Sequence, residues 1–378
     1  MHRTSIRSRA LGIALLALGT PLSAGASIAL APGDLVVSEQ SPPTLYGVDR
    51  ASGASKGSCV CSACASSIRD VTVHGTNEIY VTTLRAVVEI LASSCASRVV
   101  TEMDTDFGSF IGITLDPSGT LLVTASDCGD CVRDGVRDYG GVLRVDRHSG
   151  AQSILFSGPP MIGPGGLAVG PGGLVYVAAQ DGDADFDSGV IRIDPVNPTA
   201  PAFVAIGDDT AAPIDRTDII SATDVAIANP AGPLYVLDTR YRGGTLQDEL
   251  RIIAVDLTGV PTSNQTLLTN SLEGINQDRS SGGLLGIEIT NGVIFALDHV
   301  ASSGSSSDWA GVISFVPGMS AGEGTHVTNE SAFYYPSGLA VVPEPAALAA
   351  GFAAWIALAL LVPRSGRTGR IDPVDGGR

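Results

Sequence analysis

Four aspartates that alternate with other residues form the clearest candidate for metal chemistry. They are Asp181, Asp183, Asp185 and Asp187. Carboxylates at alternate positions of a loop can converge on a hard cation, and Ca²⁺ takes such oxygen ligands. A full EF-hand is excluded, because Phe186 stands where that loop needs glycine and Arg192 where it needs its last glutamate. The stretch therefore fits either a Ca²⁺ site in a loop or a solvated acidic turn.

The six cysteines form a second reactive group. They are Cys59, Cys61, Cys64, Cys95, Cys128 and Cys131. In an oxidising compartment an even number favours disulfides, with Cys128 bonded to Cys131 and with Cys61 or Cys64 bonded to Cys95. A zinc site is the rival interpretation, since the spacing supplies enough thiolates. Asp127, Asp130 and Asp134 disfavour a redox-active thiolate beside them.

Motifs for catalysis are scarce in the sequence. The histidines are isolated, and neither an HExxH helix, a GxSxG elbow nor a phosphate loop is present. Asp298 and His299 are adjacent, but they end a predicted strand and are interpreted as structural. The sequons at Asn264 and Asn329 are interpreted as fortuitous. The motifs favour a protein that is not an enzyme.

The charge balance excludes one class of partner. The chain has 39 Asp and Glu residues against 22 Lys and Arg residues, and its formal net charge is −17. Nucleic-acid binding needs basic patches, so we expect no nucleic-acid partner. An acidic surface fits an exported protein and can attract divalent cations.

The N-terminal residues are typical of an export signal. Arg3, Arg7 and Arg9 precede an apolar stretch, and small residues at 24–26 offer a site for signal peptidase. We expect residues 1–26 to be removed, with Ser27 as the new N-terminus. The alternative is an uncleaved signal anchor.

The C-terminal residues predict a membrane helix. The run 346–362 contains 17 apolar residues and no charge. As a helix it would be about 25 Å long, near the lower limit for crossing a bilayer. Arg364 and Arg367 follow it and favour a cytoplasmic end. The alternative is a buried core helix.

Pro343, Glu344 and Pro345 stand directly before this apolar run. Together with the run and the arginines they resemble the bacterial PEP-CTERM sorting signal, over residues 343–370. The resemblance implies a transient inner-membrane intermediate, processing by an exosortase, and delivery to the cell surface or the extracellular space. Extracellular polysaccharide or protein would then be the partner. Residues 371–378 are expected to be a disordered tail.

The residues between these signals repeat one pattern, a β-hairpin followed by a third and a fourth strand. The hairpins begin at six anchor positions, 70, 112, 166, 224, 286 and 338, which lie 42 to 62 residues apart. Four strands at this spacing make a propeller blade. The alternatives are a pair of β-sandwiches and a β-helix.

The sixth repeat is incomplete, because the sorting signal begins directly after its first strand at 338–342. The segment 34–38 resembles the missing second strand, so the two ends should pair and close one six-bladed, all-β propeller over 27–342. The pattern resembles NHL and gluconolactonase-like propellers. That resemblance implies a metal held by acidic and amide side chains at the central channel, where we expect Asp70, Asp224 and Glu288.

Two classes of function follow. The first is a non-catalytic propeller on the envelope or in the extracellular matrix that binds a ligand or has a structural role. The second is a metal-dependent lactonase or hydrolase of the gluconolactonase-like type. A converging set of Asp, Glu and Asn side chains at one channel mouth would favour the second class.

Overall fold

The computed structural model describes residues 26–103, 107–126, 139–179, 188–207, 219, 221–227, 232–240, 249–269, 284–298, 311–317, 325–328, 333 and 336–344. Within these ranges the chain forms six antiparallel sheets of four strands each. The innermost strands of neighbouring sheets contact each other in a closed ring. The chain is therefore a six-bladed β-propeller, as the repeat predicted.

The strands are, in chain order, β1 (Leu35–Glu39), β2 (Thr44–Val48), β3 (Ser55–Val60), β4 (Ile68–His74), β5 (Glu78–Thr83), β6 (Ala86–Leu91), β7 (Ser97–Glu102), β8 (Ser109–Leu115), β9 (Leu121–Ser126), β10 (Gly141–Val145), β11 (Gln152–Ser157), β12 (Pro164–Val169), β13 (Val175–Ala179), β14 (Gly189–Asp194), β15 (Asn197–Ile206), β16 (Ala222–Ile227), β17 (Leu234–Arg240), β18 (Glu249–Val255), β19 (Gln265–Thr269), β20 (Leu284–Thr290), β21 (Val293–Asp298), β22 (Gly311–Phe315), β23 (Thr325–His326) and β24 (Pro336–Val341). A 3₁₀ turn at Pro171–Gly173 joins β12 to β13.

Each blade is a meander that runs outward from the axis. Blade 1 has the strand order β24-β1-β2-β3, and blades 2 to 6 follow with β4–β7, β8–β11, β12–β15, β16–β19 and β20–β23. The first strand of each blade lines the axis, and the fourth lies at the rim. Because sheets of a propeller stack face to face, inner strands such as β1 and β13 are buried on both faces, whereas rim strands such as β3 and β7 are partly exposed.

The apolar core is divided among the interfaces between blades. The described residues form six apolar clusters, and each cluster joins two neighbouring blades. Blades 1 and 2, for example, share a cluster that includes Val36, Leu45, Val71 and Val81. Burial of these side chains is the main force that closes the ring.

Short turns are set by residue type. Asn291 and Gly292 both have positive φ, 50° and 74°, and form the two-residue hairpin between β20 and β21. After third strands, Asp49 and Asp146 cap their turns, because the Oδ1 atom of each accepts from the backbone amides two and three residues later. Local sequence thus fixes where these strands end.

The closing strand behaves as the incomplete repeat predicted. β24 pairs antiparallel with β1, with Leu35 opposite Val341 and Ser38 opposite Gly338. Two further backbone bonds extend the pairing, since Gly33 donates to the Val342 carbonyl at 2.9 Å and Val342 donates to the Asp34 carbonyl at 2.8 Å. Blade 1 therefore joins the two ends of the propeller.

The two faces of the propeller carry different connections. Hairpins between first and second strands, and between third and fourth strands, lie on one face, here called the hairpin face. The other face, the loop face, carries the links between second and third strands and between successive blades. The loop face has the longer links, such as 127–140, 207–221 and 270–283.

The predicted terminal segments are largely outside the described residues, since residues 1–25 and 345–378 are not among them. Within the described ranges, no helix has the length and apolar character needed to cross a membrane. The signal peptide and the membrane helix 346–362 stay predictions.

Candidate functional site

The axis of the ring brings together the three carboxylates that the sequence placed there. Asp70 lies near the start of β4, and Asp224 occupies the equivalent position on β16. Blades 2 and 5 are three blades apart in the ring of six, so the two aspartates lie across the axis from each other. Glu288 lies on β20, in blade 6.

Each aspartate connects its own blade to the next one. Asp70 Oδ1 accepts from the Val71 amide, and Oδ2 accepts from the Ile113 amide of blade 3, both at 2.8 Å. Asp224 makes the same contacts, at 2.8 Å, with the amides of Val225 and of Ile287 in blade 6. Because the amides at the inner edge of a sheet otherwise have no ladder partner, these bonds satisfy buried donors.

The other four anchor positions are glycines that pack against the next blade. A Cβ atom on Gly166 would lie 1.7 Å from Asp224 Oδ1, and one on Gly338 would lie 2.8 Å from Asp70 Cα. A Cβ on Gly112 would lie 2.8 Å from Gly166 Cα. The first strands of neighbouring blades are therefore packed closely at the anchor positions. A larger side chain is found there only where it accepts a hydrogen bond from the neighbouring strand, as Asp70 and Asp224 do.

The three carboxyl groups are desolvated and repel one another. Burial raises the pKa of Asp70 to about 7. Burial, and then the charge of Asp70, raise the pKa of Glu288 to about 8. Burial raises the pKa of Asp224 well above its ordinary value, and the charges of Asp70 and Glu288 add to the effect. Near neutral pH the axis therefore holds protonated or partly protonated carboxyls.

This arrangement is a poor cation site. A hard cation needs several ionised oxygens with free lone pairs, but the aspartates already accept backbone hydrogen bonds and are desolvated. Among the described residues, no group of three or more His, Cys, Asp or Glu side chains is placed to hold a metal ion. The hydrogen bonds of Asp70 and Asp224 join neighbouring blades at the axis.

A buried ion pair in blade 5 is the strongest polar feature that the sequence did not reveal. Arg251 Nε donates to Asp238 Oδ2 at 2.9 Å, and both side chains are fully buried. The Ser221 amide donates to Asp238 Oδ1 at 2.7 Å. Asp238 lies on β17 and Arg251 lies opposite it on β18, so the register of the two strands brings them together.

His74 belongs to an ionic network on the hairpin face. Glu78 Oε2 lies 3.1 Å from His74 Nδ1 and 2.9 Å from Arg147 Nη1 of the next blade. Tyr80 donates to Glu78 Oε2 at 3.0 Å, and burial raises the pKa of this phenol. Two blades are linked here, and the partly exposed side chains fit a structural role.

The four described cysteines form disulfides, although one pairing differs from the expectation. Cys59 is bonded to Cys95, and Cys61 is bonded to Cys64. The predicted bond from Cys61 or Cys64 to Cys95 is wrong, because Cys59, on the rim strand β3 of blade 1, lies beside the 92–96 turn of blade 2. Oxidised cysteines supply no thiolates, so these four do not form a zinc site. Cys128 and Cys131 lie outside the described residues.

Other predicted site residues divide between the described and the undescribed parts of the chain. Asp181, Asp183, Asp185 and Asp187 lie outside the described residues, as do Pro345, Arg364 and Arg367. Pro343 and Glu344 are described and follow β24. Glu344 Oε1 accepts from Asn291 Nδ2 at 2.8 Å and lies 3.3 Å from Arg50 Nη2. The motif's glutamate therefore contacts the propeller itself.

The sequon at Asn264 is structural. Its Nδ2 atom donates to the carbonyls of Val204 and Asp256, both at 2.7 Å, and the residue is buried. A glycan attached to this nitrogen would replace one of its two donating hydrogens at a buried position, which supports the interpretation of the sequon as fortuitous. Asn329 lies outside the described residues.

Comparison with solved structures confirms the fold. A structure of a nidogen/laminin complex matches with a TM-score of 0.55 at 12% identity and covers 82% of this chain and 98% of that chain. A streptogramin B lyase structure matches with a TM-score of 0.53 at 10% identity, covering 84% and 86%. TolB from Acinetobacter baumannii matches with a TM-score of 0.52 at 13% identity, covering 82% and 67%.

No protein-family model and no curated protein matches the sequence. The structural neighbours differ in function, and identities this low show a shared fold only. In architecture the chain resembles the streptogramin B lyase and TolB structures.

Proposed function

We propose that this protein is an exported propeller, processed by an exosortase, that acts without catalysis as a binding or structural module at the cell surface or in extracellular material. Signal peptidase removes residues 1–26, and the segment 346–362 holds the protein in the inner membrane until it is cut. The partner is an extracellular polysaccharide or protein. Ca²⁺ at Asp181–Asp187 stays part of this proposal.

The observation that supports the proposal most is the position of the first and last strands of the propeller. β1 begins and β24 ends on the hairpin face, where Gly33 and Val342 are joined by a backbone hydrogen bond. A membrane segment that starts at residue 346 would leave from this face. The loop face, which has the longer links, would then point away from the membrane and toward a partner. Longer loops on a rigid scaffold are where propellers of any kind place their binding residues.

The axis supports a non-catalytic role. Asp70 and Asp224 use both carboxyl oxygens on backbone amides, and the glycines of the neighbouring first strands pack closely against them. Groups with such contacts stabilise the ring. A catalytic acid or base needs an oxygen within reach of a bound substrate.

The triple replacement of Pro343, Glu344 and Pro345 by alanine tests this proposal. In a host that encodes an exosortase, we expect the parent protein to be shortened and to leave the membrane fraction. The variant should stay full-length in the membrane, because an uncut run of 17 apolar residues strongly prefers the bilayer. A host without the exosortase is the control. Identical behaviour of the parent and the variant would contradict the sorting role.

A metal-dependent hydrolase is the second candidate, and the convergence of Asp70, Asp224 and Glu288 at the axis favours it. The backbone hydrogen bonds that the aspartate oxygens already accept argue against it. Metal analysis of the purified processed protein separates the two candidates. One equivalent of metal that is lost in Glu288→Gln, but retained in the exposed-site control Glu102→Gln, would support the hydrolase.

A further inference from the structure

Glu344 is held by two blades at the point where the chain leaves the propeller. Its Oε1 atom accepts from Asn291 Nδ2 at 2.8 Å, and Arg50 Nη2 lies 3.3 Å away. Asn291 belongs to the turn between β20 and β21 in blade 6, and Arg50 to the turn after β2 in blade 1. The contact therefore bridges the two blades that flank the ring closure.

The backbone beside Glu344 is fixed as well. The amide of Val342 donates to the Asp34 carbonyl at 2.8 Å, and the Val342 carbonyl accepts from Gly33 at 2.9 Å. Gly33 has φ 85°, and a Cβ atom there would lie 3.2 Å from Glu344 Oε1. A glycine at this position lets the turn approach the carboxylate, so the backbone is shaped to receive Glu344.

An enzyme that cuts near this motif needs access to an extended piece of chain on both sides of the cut. With Glu344 bound to the propeller, one residue separates it from the apolar run that begins at Ala346. An uncut protein would then lie with its hairpin face close to the bilayer. Release of Glu344 would lengthen the unrestrained stretch of chain between the propeller and the membrane.

We propose that Arg50 and Asn291 hold Glu344 as a latch that restrains the cutting of the C-terminal segment. The inference rests on the proposed function, because it concerns the regulation of the same sorting site. The latch is weak, since one partly exposed ion pair and one charge-assisted hydrogen bond favour the closed state only modestly. It therefore slows cutting without preventing it.

The test compares the full-length chain with Arg50→Ala, Asn291→Gly and the double variant. Glycine at 291 preserves the positive φ of the turn and removes only the amide donor. Arg98→Ala is the matched control, because Arg98 is an exposed arginine whose ion pair is with Glu89 in blade 2 and not with Glu344. Arg50→Lys keeps the charge and should behave almost as the parent protein does.

Two measurements are made on these proteins. In pulse-chase experiments with an exosortase-encoding host, we expect the double variant to be processed roughly two- to tenfold faster, as loss of a latch of this strength implies. The second measurement is hydrogen exchange of the Val342 amide, made on full-length protein purified from a host without the enzyme. Its exchange rate should rise by a similar factor. The Arg98→Ala control should change neither rate.

The outcomes separate the two proposals. Unchanged or slower processing together with unchanged exchange in the double variant would overturn the latch. Faster exchange with unchanged processing would also overturn it, because the contact would then not restrain the enzyme. If the parent protein is never processed, the sorting role fails, while the exchange rate still decides whether Glu344 restrains this segment.

Discussion

Asp70 and Asp224 have contacts that fit a structural role in the ring better than a catalytic role. Each carboxylate spans a blade interface and satisfies two backbone amides at the inner edge of the sheets. The same burial that makes these bonds strong raises the pKa of the groups, since the charged form loses its hydration. Their ionisation therefore works against the fold.

The raised pKa of Glu288 predicts a pH dependence of stability. A carboxyl whose pKa is higher in the folded than in the unfolded state stabilises the fold most below its ordinary pKa of 4.5, and this contribution is lost as pH rises to about 8. We expect the free energy of unfolding to fall over that range. Glu288→Gln should make the fall shallower, whereas the exposed-site control Glu102→Gln should not.

Chemical denaturation at several pH values between 4.5 and 8 measures this effect. The slope of the unfolding free energy against pH should be less negative in Glu288→Gln than in the parent protein. Equal slopes in the two proteins would show that Glu288 titrates normally.

Arg251 predicts a large effect of a single change. Arg251→Met leaves the fully buried Asp238 without its guanidinium partner, so we expect a loss of about 3–5 kcal/mol in unfolding free energy. The double variant Arg251→Met/Asp238→Leu should recover much of that loss, because both charges of the pair are then removed together. Denaturant unfolding of the single and double variants checks both values. A single variant within 1 kcal/mol of the parent protein would contradict the buried pair.

At the scale of the element, the first strand of each blade is the part most constrained by its neighbours. Gly166 on β12 faces Asp224 on β16, and Gly338 on β24 faces Asp70 on β4. The pairing of a small residue with an aspartate recurs across two blade interfaces, at opposite sides of the ring. The residue types of the first strands are thus restricted by packing against the next blade as well as by the alternation of apolar and polar residues.

Gly166→Ala tests this packing. Its Cβ atom would overlap Asp224 Oδ1, so we expect a loss of about 1–3 kcal/mol in unfolding free energy. The variant Gly166→Ala/Asp224→Gly removes the overlapping carboxylate, and its loss should be smaller than the sum of the two single losses. Strictly additive losses in denaturant unfolding would show that the two residues do not meet.

At the scale of the whole molecule, the sequence was sufficient for the architecture. The incomplete repeat at 338–342 predicted the closing strand, and its pairing with β1 is observed. Alternation and turn residues determine strands locally, and six repeats of known spacing leave few ways to close. The same repeat alignment placed Asp70, Asp224 and Glu288 near one axis.

Contacts between distant residues could not be predicted in this way. The bond from Cys59 to Cys95 depends on which turn of blade 2 lies beside the rim of blade 1. The pairing of Arg251 with Asp238 depends on strand register, and Arg50 is 294 residues from Glu344 in the chain. The first and third of these contacts depend on how blades and strands meet in the closed ring, and the Arg251–Asp238 contact depends on the register of two strands within blade 5.

The mass of the protein recovered from an exosortase-encoding host tests the proposed function most directly. We expect an N-terminus at Ser27 and a C-terminus before Ala346, in protein found at the cell surface or in the medium. The same gene in a host without the enzyme should give a membrane-bound product that retains 346–362. A single full-length product, membrane-bound in both hosts, would contradict the account.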